Sequence, residues 1–236
     1  MVPTPGNSWT ERRTAARPSS VFRPPQMKQE NRVESVANGY ERIADAFLAR
    51  RGNAATASIG VGVRQVRAWA RSLPPRATVL DLGCGPGLPI TKVLVDEGLI
   101  VYGVDASPTF VAAFRKNLPG VTVACESVEK SVFFNRSFDA VLAWGLWFLL
   151  PVATQLDLPR RIATVLQPGG RLLFTAPAQA ITWLDAMTGE ESRSLGAEKY
   201  RRSLSAVGLT VLREYEDEGE NHYYEAVRDG YPGVAL

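Results

Sequence analysis

The 236-residue chain is poor in the residues that make crosslinks and metal sites: two cysteines, three methionines and one histidine. Cys84 and Cys125 have no metal-ligand spacing and are too few for a disulfide framework, which fits a reducing compartment and leads us to expect no bound metal. Long apolar runs are also missing. Nothing approaches the roughly 20 residues needed to cross a bilayer, and the first 30 residues offer no apolar core for a signal peptide. The expectation is a cytoplasmic chain that makes no membrane contact.

Acidic residues are scarce at the start. Residues 1–76 hold 13 Lys or Arg against 5 Asp or Glu, whereas residues 77–236 hold 14 against 19. The pI near 9.0 therefore belongs to the N-terminal part. A nucleic-acid enzyme sets a basic surface around its cleft. The part of this chain that carries the motifs described below is acidic, so no nucleic-acid partner is expected.

Hydrophobic residues make up 45% of the chain, enough for one full-size core. Residues 1–26, rich in Pro, Ser, Thr and Arg without period, read as a disordered tail. Periodic sequence starts at Met27, where a functional chain would begin; from there the charges balance at 23 and 23. Helical spacing occupies about 30–50 and 54–72, and residues 27–76 are expected to form N-terminal helices that cover a cofactor. The core then follows over 77–236.

Within that core, short β-branched or aromatic runs at 77–82, 99–105, 121–126, 138–144 and 170–176 alternate with helical stretches at 89–97, 108–117 and 153–166. Repeated β-α units predict a parallel sheet covered on both faces. The final pair, "LTVLREYE" and "HYYEAV", joined by a short acidic turn, predicts a β-hairpin.

The strongest motif is "VLDLGCGPG" at 79–87, a strand end, a glycine turn and then a helix. Gly83, Gly85 and Gly87 let the backbone turn and approach a ligand. Asp105 ends the second strand, where an acid accepts bonds from ribose hydroxyls. A dinucleotide-binding protein would share these features. Cys84, with no cation beside it, reads as a space-filling residue.

Taken in order, "DLGCGPG", "YGVDAS", "SFDAVLAWG" and "LQPGGRLLFTAP" resemble the motifs of class I S-adenosylmethionine-dependent methyltransferases. The resemblance runs over about 40–230. It implies a Rossmann-like, doubly wound α/β fold: a mostly parallel seven-stranded sheet ending in an antiparallel hairpin. It also implies S-adenosyl-L-methionine as cofactor. Gly83, Gly85 and Gly87 would line it, Asp81 would orient the methionine amino group, and Asp105, with Ala106 beside it, would hold the ribose. Where the family often carries an acid toward adenine this chain has Ser127, with Val128 offering a backbone N–H. Tyr40 resembles the helix residue that closes over the methionine moiety, beside the alternative of a core tyrosine. Trp144, ending the fourth strand, completes the cofactor set.

Ligands in such sheets bind beyond the carboxyl ends of the strands, which assigns the acceptor to the loops after strands four and five and to the terminal hairpin. Trp147, Phe148, Trp183 and Tyr223 would supply a dry aromatic wall, with core packing as the alternative for each. Asp185, or an inward carboxylate of the acidic turn, would attract an amine. His222, in "DEGENHYYEA", is either a general base or a structural residue bonded to the acidic turn. Residues 185–200 read as a lid or insertion leading into a helix capped by Ser194. The expected activity is methyl transfer to an O or N atom of a small-molecule acceptor. A noncatalytic S-adenosylmethionine-binding regulator and a nucleic-acid or protein methyltransferase are the competing readings, and oligomeric state stays open.

Overall fold

A computed structural model describes residues 36–50 and 60–230. The tail, the start at Met27 and parts of both N-terminal helical stretches fall outside these residues. Helix α1 (Tyr40–Arg50) precedes α2 (Val63–Ala70), whose Val63, Val66, Trp69 and Ala70 recur at helical spacing and are all buried. The α/β alternation then unfolds as anticipated: β1 (Thr78–Leu82), α3 (Ile90–Asp96), β2 (Ile100–Asp105), α4 (Pro108–Asn117), β3 (Thr122–Cys125), β4 (Phe138–Ala143), α5 (Val152–Val165) and β5 (Leu166–Thr175). A two-stranded arm, β6 (Ala180–Leu184) and β7 (Glu191–Leu195), leads to α6 (Ala197–Ser205). The hairpin β8 (Leu209–Glu216) and β9 (His222–Arg228) follows.

Seven strands form one sheet in the order β3-β2-β1-β4-β5-β9-β8. The first five are parallel, and β9 joins β5 antiparallel. Side-chain alternation divides the core. Leu80, Leu82, Leu172, Phe174 and Tyr224 meet Leu158 and Ile162 of α5 and Tyr200 and Leu204 of α6. Val79, Leu173 and Tyr223 pack with the buried residues of α2 and α3 on the other side. Phe174 is stacked between Trp147 and Tyr224, with ring centroids 4.0 and 4.6 Å away. Each such pair adds about 1 kcal/mol beyond area burial.

Three local features depart from the simple alternation. Instead of a helix after β3, the chain makes a left-handed turn in which Phe133, Phe134 and Asn135 all have positive φ. Such residues cost roughly 1 kcal/mol each, and burial of the Phe133 ring under the Arg161 guanidinium offsets part of it. The segment read as a lid is the β6–β7 arm. Ser194 does not cap α6: it lies in β7, and the helix starts after Gly196, whose N–H donates to Ser194 Oγ at 3.1 Å. A Cβ on Gly196 would come within 3.0 Å of Ala180 N, so glycine lets the arm return close to its own root.

Buried charge sits at the hairpin edge. Glu225 of β9 is fully buried and pairs with Arg171 of β5 and Arg213 of β8. Among the described residues, no helix is long and apolar enough to cross a membrane, and no cluster of His, Cys, Asp or Glu is arranged to hold a metal.

Candidate functional site

The sheet order reverses at β1, with β2 on one side and β4 on the other, so the loops leaving these strands border a crevice. The turn after β1 is tied to β2 by hydrogen bonds from Gly83 N and Cys84 N to the carbonyl of Val104, at 2.8 and 3.2 Å. Its glycines differ in purpose. At Gly85 (φ +55°) a Cβ would meet nothing within 4 Å, so the backbone faces open space. At Gly87 (φ +81°) a Cβ would strike Leu118 at 2.7 Å and Phe114 at 3.0 Å, so packing on α4 excludes a side chain there.

Two carboxylates flank this turn. Asp81, 2% exposed, accepts from Thr91 Oγ1 at 2.6 Å. Burial raises its pKa to about 7; the Thr91 bond opposes the rise and the Asp105 charge adds to it. Asp105, 8% exposed, accepts from Ser107 N and Gly85 N, one on each oxygen and both at 2.8 Å. Burial pushes its pKa up too, against those two bonds and with the Glu41 charge adding to it. Each oxygen keeps further acceptor capacity suited to a diol. Burial and the two neighbouring carboxylates push the Cys84 thiol well up, consistent with a packing role.

Glu126 N donates to the carbonyl of Asp105 at 2.9 Å, which brings the 127–131 turn beside it. Ser127 is half-buried there and its carbonyl accepts from Lys130 and Ser131. Val128 is buried, with its carbonyl held by Arg161. Ala106 is half-buried next to Asp105. On the opposite wall Leu146 reaches the turn, 3.1 Å from a Cβ placed on Gly83. The half-buried Trp144 donates through Nε1 to Tyr223 Oη at 2.9 Å.

Helix α1 joins both sides. The ring of Tyr40 packs near Phe47 and Phe110, and its hydroxyl donates to Asp185 Oδ2 at 3.1 Å. Glu41 accepts from Ser107 Oγ, and from Thr109 Oγ1 at 2.7 Å, at the start of α4. These bonds outweigh partial burial and leave the Glu41 pKa below its ordinary value. Ser107 caps α4 before Pro108, and its bond to Glu41 spans 66 residues and has no local signal.

The expected acceptor residues divide. Phe148 and Trp183 are partly buried, with ring centroids 5.4 Å apart, and form an aromatic pair between the loop after β4 and the arm. Trp147 and Tyr223 are fully buried, so packing, the alternative reading, describes them better than a wall open to ligand. Asp185 faces Tyr40 and its own turn. The inward carboxylate of the acidic turn is Asp217, which accepts from Tyr223 Oη at 2.7 Å and from Gly219 N and Asn221 N. Its part in fixing Trp144 through Tyr223 was not anticipated. His222 stands at the carboxyl edge of the sheet, with Nε2 3.0 Å from Glu214 and Nδ1 3.4 Å from Glu216. Both ring nitrogens thus meet the carboxylates of β8.

Taken together, the sheet order, the open glycine turn and the paired strand-end carboxylates define a Rossmann-like α/β domain with a crevice at its switch point. Residues 79–170 match the methyltransferase-domain family. Aklanonic acid methyltransferase DauC of Streptomyces sp. (strain C5) is 33% identical over 107 residues, covering 42% of this chain and 47% of that protein. The CcbJ methyltransferase from Streptomyces caelestis superposes with a TM-score of 0.66 at 18% identity, covering 84% of this chain and 100% of the other. Magnesium protoporphyrin IX methyltransferase from Synechocystis PCC 6803, solved with bound SAM, gives a TM-score of 0.62 at 19% identity over 82% and 95%. The match to the methyltransferase-domain family covers residues 79–170, and the two solved methyltransferases share the fold of this chain. The chain spans about half the length of the curated relatives it matches.

Proposed function

We propose that this protein transfers a methyl group from S-adenosylmethionine to a small-molecule acceptor. The observation that carries the reading is the pair of buried carboxylates, Asp81 and Asp105, on either side of a glycine turn whose Gly85 faces open space. An ammonium group is the natural partner for a buried acid whose pKa is raised to about 7, because pairing restores the favourable charged form. Asp105 has acceptor capacity for ribose hydroxyls, and the 127–128 turn lies beside it for adenine. The residues present therefore fit the cofactor. Relatives named for aklanonic acid and magnesium protoporphyrin IX support a small-molecule acceptor.

When bound, the cofactor supplies an electrophilic methyl group on a sulfonium. The task of the chain is then to position and desolvate. In this reading Asp81 holds the amino end, Asp105 with Ala106 the ribose, and the Gly83–Gly87 turn admits the backbone closely. Helix α1 covers the site with Tyr40, and Phe148 and Trp183 exclude water on the acceptor side. His222, with both nitrogens turned to Glu214 and Glu216, fastens the hairpin and is not assigned proton transfer.

Incubation with methyl-labelled S-adenosylmethionine and a panel of phenols, amines and carboxylic acids tests the proposal. Label is expected in a low-molecular-weight product. Cofactor binding with no transfer to any acceptor would favour a noncatalytic regulator, and label in RNA or protein alone would overturn the acceptor class.

A further inference from the structure

The β6–β7 arm and the start of α4, next to Asp105, lie on different elements, yet one short segment touches both. Asp185 follows the arm's first strand and uses its two oxygens separately. Oδ1 accepts from Met187 N and Thr188 N at 2.8 and 2.9 Å, fixing the arm's own turn, and Oδ2 accepts from Tyr40 Oη. Next along α1, Glu41 grips Ser107 and Thr109, and Ser107 N donates to Asp105. Arg42 returns to the arm, donating to the carbonyl of Thr188 at 2.6 Å and to Glu190 at 3.2 Å.

The approach to α1 is itself strained: Ala37, Asn38 and Gly39 all have positive φ. A Cβ on Gly39 would stand 2.8 Å from Glu190 Cγ and 3.2 Å from Thr188 Cβ, so the chain presses directly on the arm's turn. A left-handed run at two non-glycine residues persists only where its surroundings hold it, and the arm is that surrounding. Three consecutive side chains, Tyr40, Glu41 and Arg42, therefore alternate between the arm and the start of α4, whose Ser107 N bonds Asp105.

We infer that Asp185 is a positioning residue for the cofactor site: acting through Tyr40 and the first turn of α1, it couples the acceptor arm to the cofactor crevice. It does not receive the acceptor's amine, because its oxygens already hold the turn and the phenol. The inference rests on the crevice being the S-adenosylmethionine site. An acceptor that orders the arm would tighten cofactor binding through the same contacts, and by reciprocity bound cofactor would order the arm.

Calorimetry with S-adenosylhomocysteine, which cannot turn over, tests this in the full chain. Asp185→Ser keeps a hydroxyl for the turn but is too short to reach Tyr40; Tyr40→Phe removes the same bond from the other side. Each is expected to weaken binding roughly fivefold, the worth of one hydrogen bond to a charged group in a part-exposed site. The double variant should be no weaker than either single one, because both remove one shared contact. Asp185→Asn, which keeps the length and bonds both groups, should bind like wild type, as should Glu191→Gln elsewhere in the arm. Thermal melts separate lost affinity from lost folding. Wild-type affinity in Asp185→Ser or Tyr40→Phe, or strictly multiplicative losses in the double variant, would overturn the coupling. Absence of binding by the wild type would instead remove the cofactor reading, and this inference with it.

Discussion

Removing the charge of Asp81 is predicted to stabilise the ligand-free protein while weakening its hold on the cofactor. The carboxyl titrates near pH 7 in the fold against an ordinary value of 3.8. The raised native pKa means that the neutral acid suits the fold. Its contribution is fully present below about pH 4, is lost as pH rises, and changes no further above about pH 7. The span corresponds to about 4 kcal/mol, from 1.36 kcal/mol for each tenfold change in proton concentration between the two values. That is a large part of the 5–15 kcal/mol typical of a domain. Urea titrations of wild type and Asp81→Asn between pH 5 and 8 would read it. This window avoids the acid range in which Glu41, Glu214 and Asp217, whose pKa values are lowered, lose their own contributions. The variant should gain on the wild type as pH rises, and the gap should level off above pH 7. Binding should also expel a proton from wild-type Asp81 near pH 6, making the heat of S-adenosylhomocysteine binding depend on the buffer's ionisation enthalpy, and less so in Asp81→Asn. Parallel stability profiles for the two proteins would refute the reasoning.

Other outcomes follow from buried partners. Tyr223→Phe leaves Trp144 Nε1 and Asp217 without their shared hydroxyl and is expected to cost about 2 kcal/mol in urea unfolding; a change below ~0.5 kcal/mol would contradict the network. Glu225→Ala should cost about 3 kcal/mol by leaving the Arg171 charge half-sequestered, and combining it with Arg171→Met should recover much of the loss. His222→Gln should keep kcat within about twofold while lowering thermal stability, since the ring's two nitrogens face β8 carboxylates; a loss of about 100-fold in kcat, within the range for a missing general base, would restore the catalytic reading.

The sheet was legible because its signals are local. Runs such as "ATVLDL" and "GRLLFTA" are apolar, short and bounded by turn residues, and the glycine turn with Asp105 twenty residues after Gly85 locates the crevice. The β6–β7 arm escaped because neither strand has the usual pattern: "ESRSL" buries serines where a core strand has valine, and "AITWL" is apolar yet mostly exposed, with Leu184 71% exposed. Trp147 and Tyr223 misled for a related reason. An aromatic residue near a strand end packs inward or outward depending on neighbours contributed by other elements, here Phe174 of β5 for Trp147 and the buried residues of α2 for Tyr223. The bonds that stitch the site together were invisible, since Tyr40 to Asp185 spans 145 residues and Trp144 to Tyr223 spans 79.

The most direct test of the central claim is calorimetric titration of the protein with S-adenosylmethionine and S-adenosylhomocysteine, in wild type and in Asp105→Ala. Asp105 anchors the crevice by accepting from Gly85 and Ser107, and it faces where the ribose would lie in this reading. Micromolar binding (about −8 kcal/mol) by the wild type that is lost in a folded Asp105→Ala variant is the predicted result. A folded wild type that binds neither compound, or a variant that binds both equally well, would contradict it.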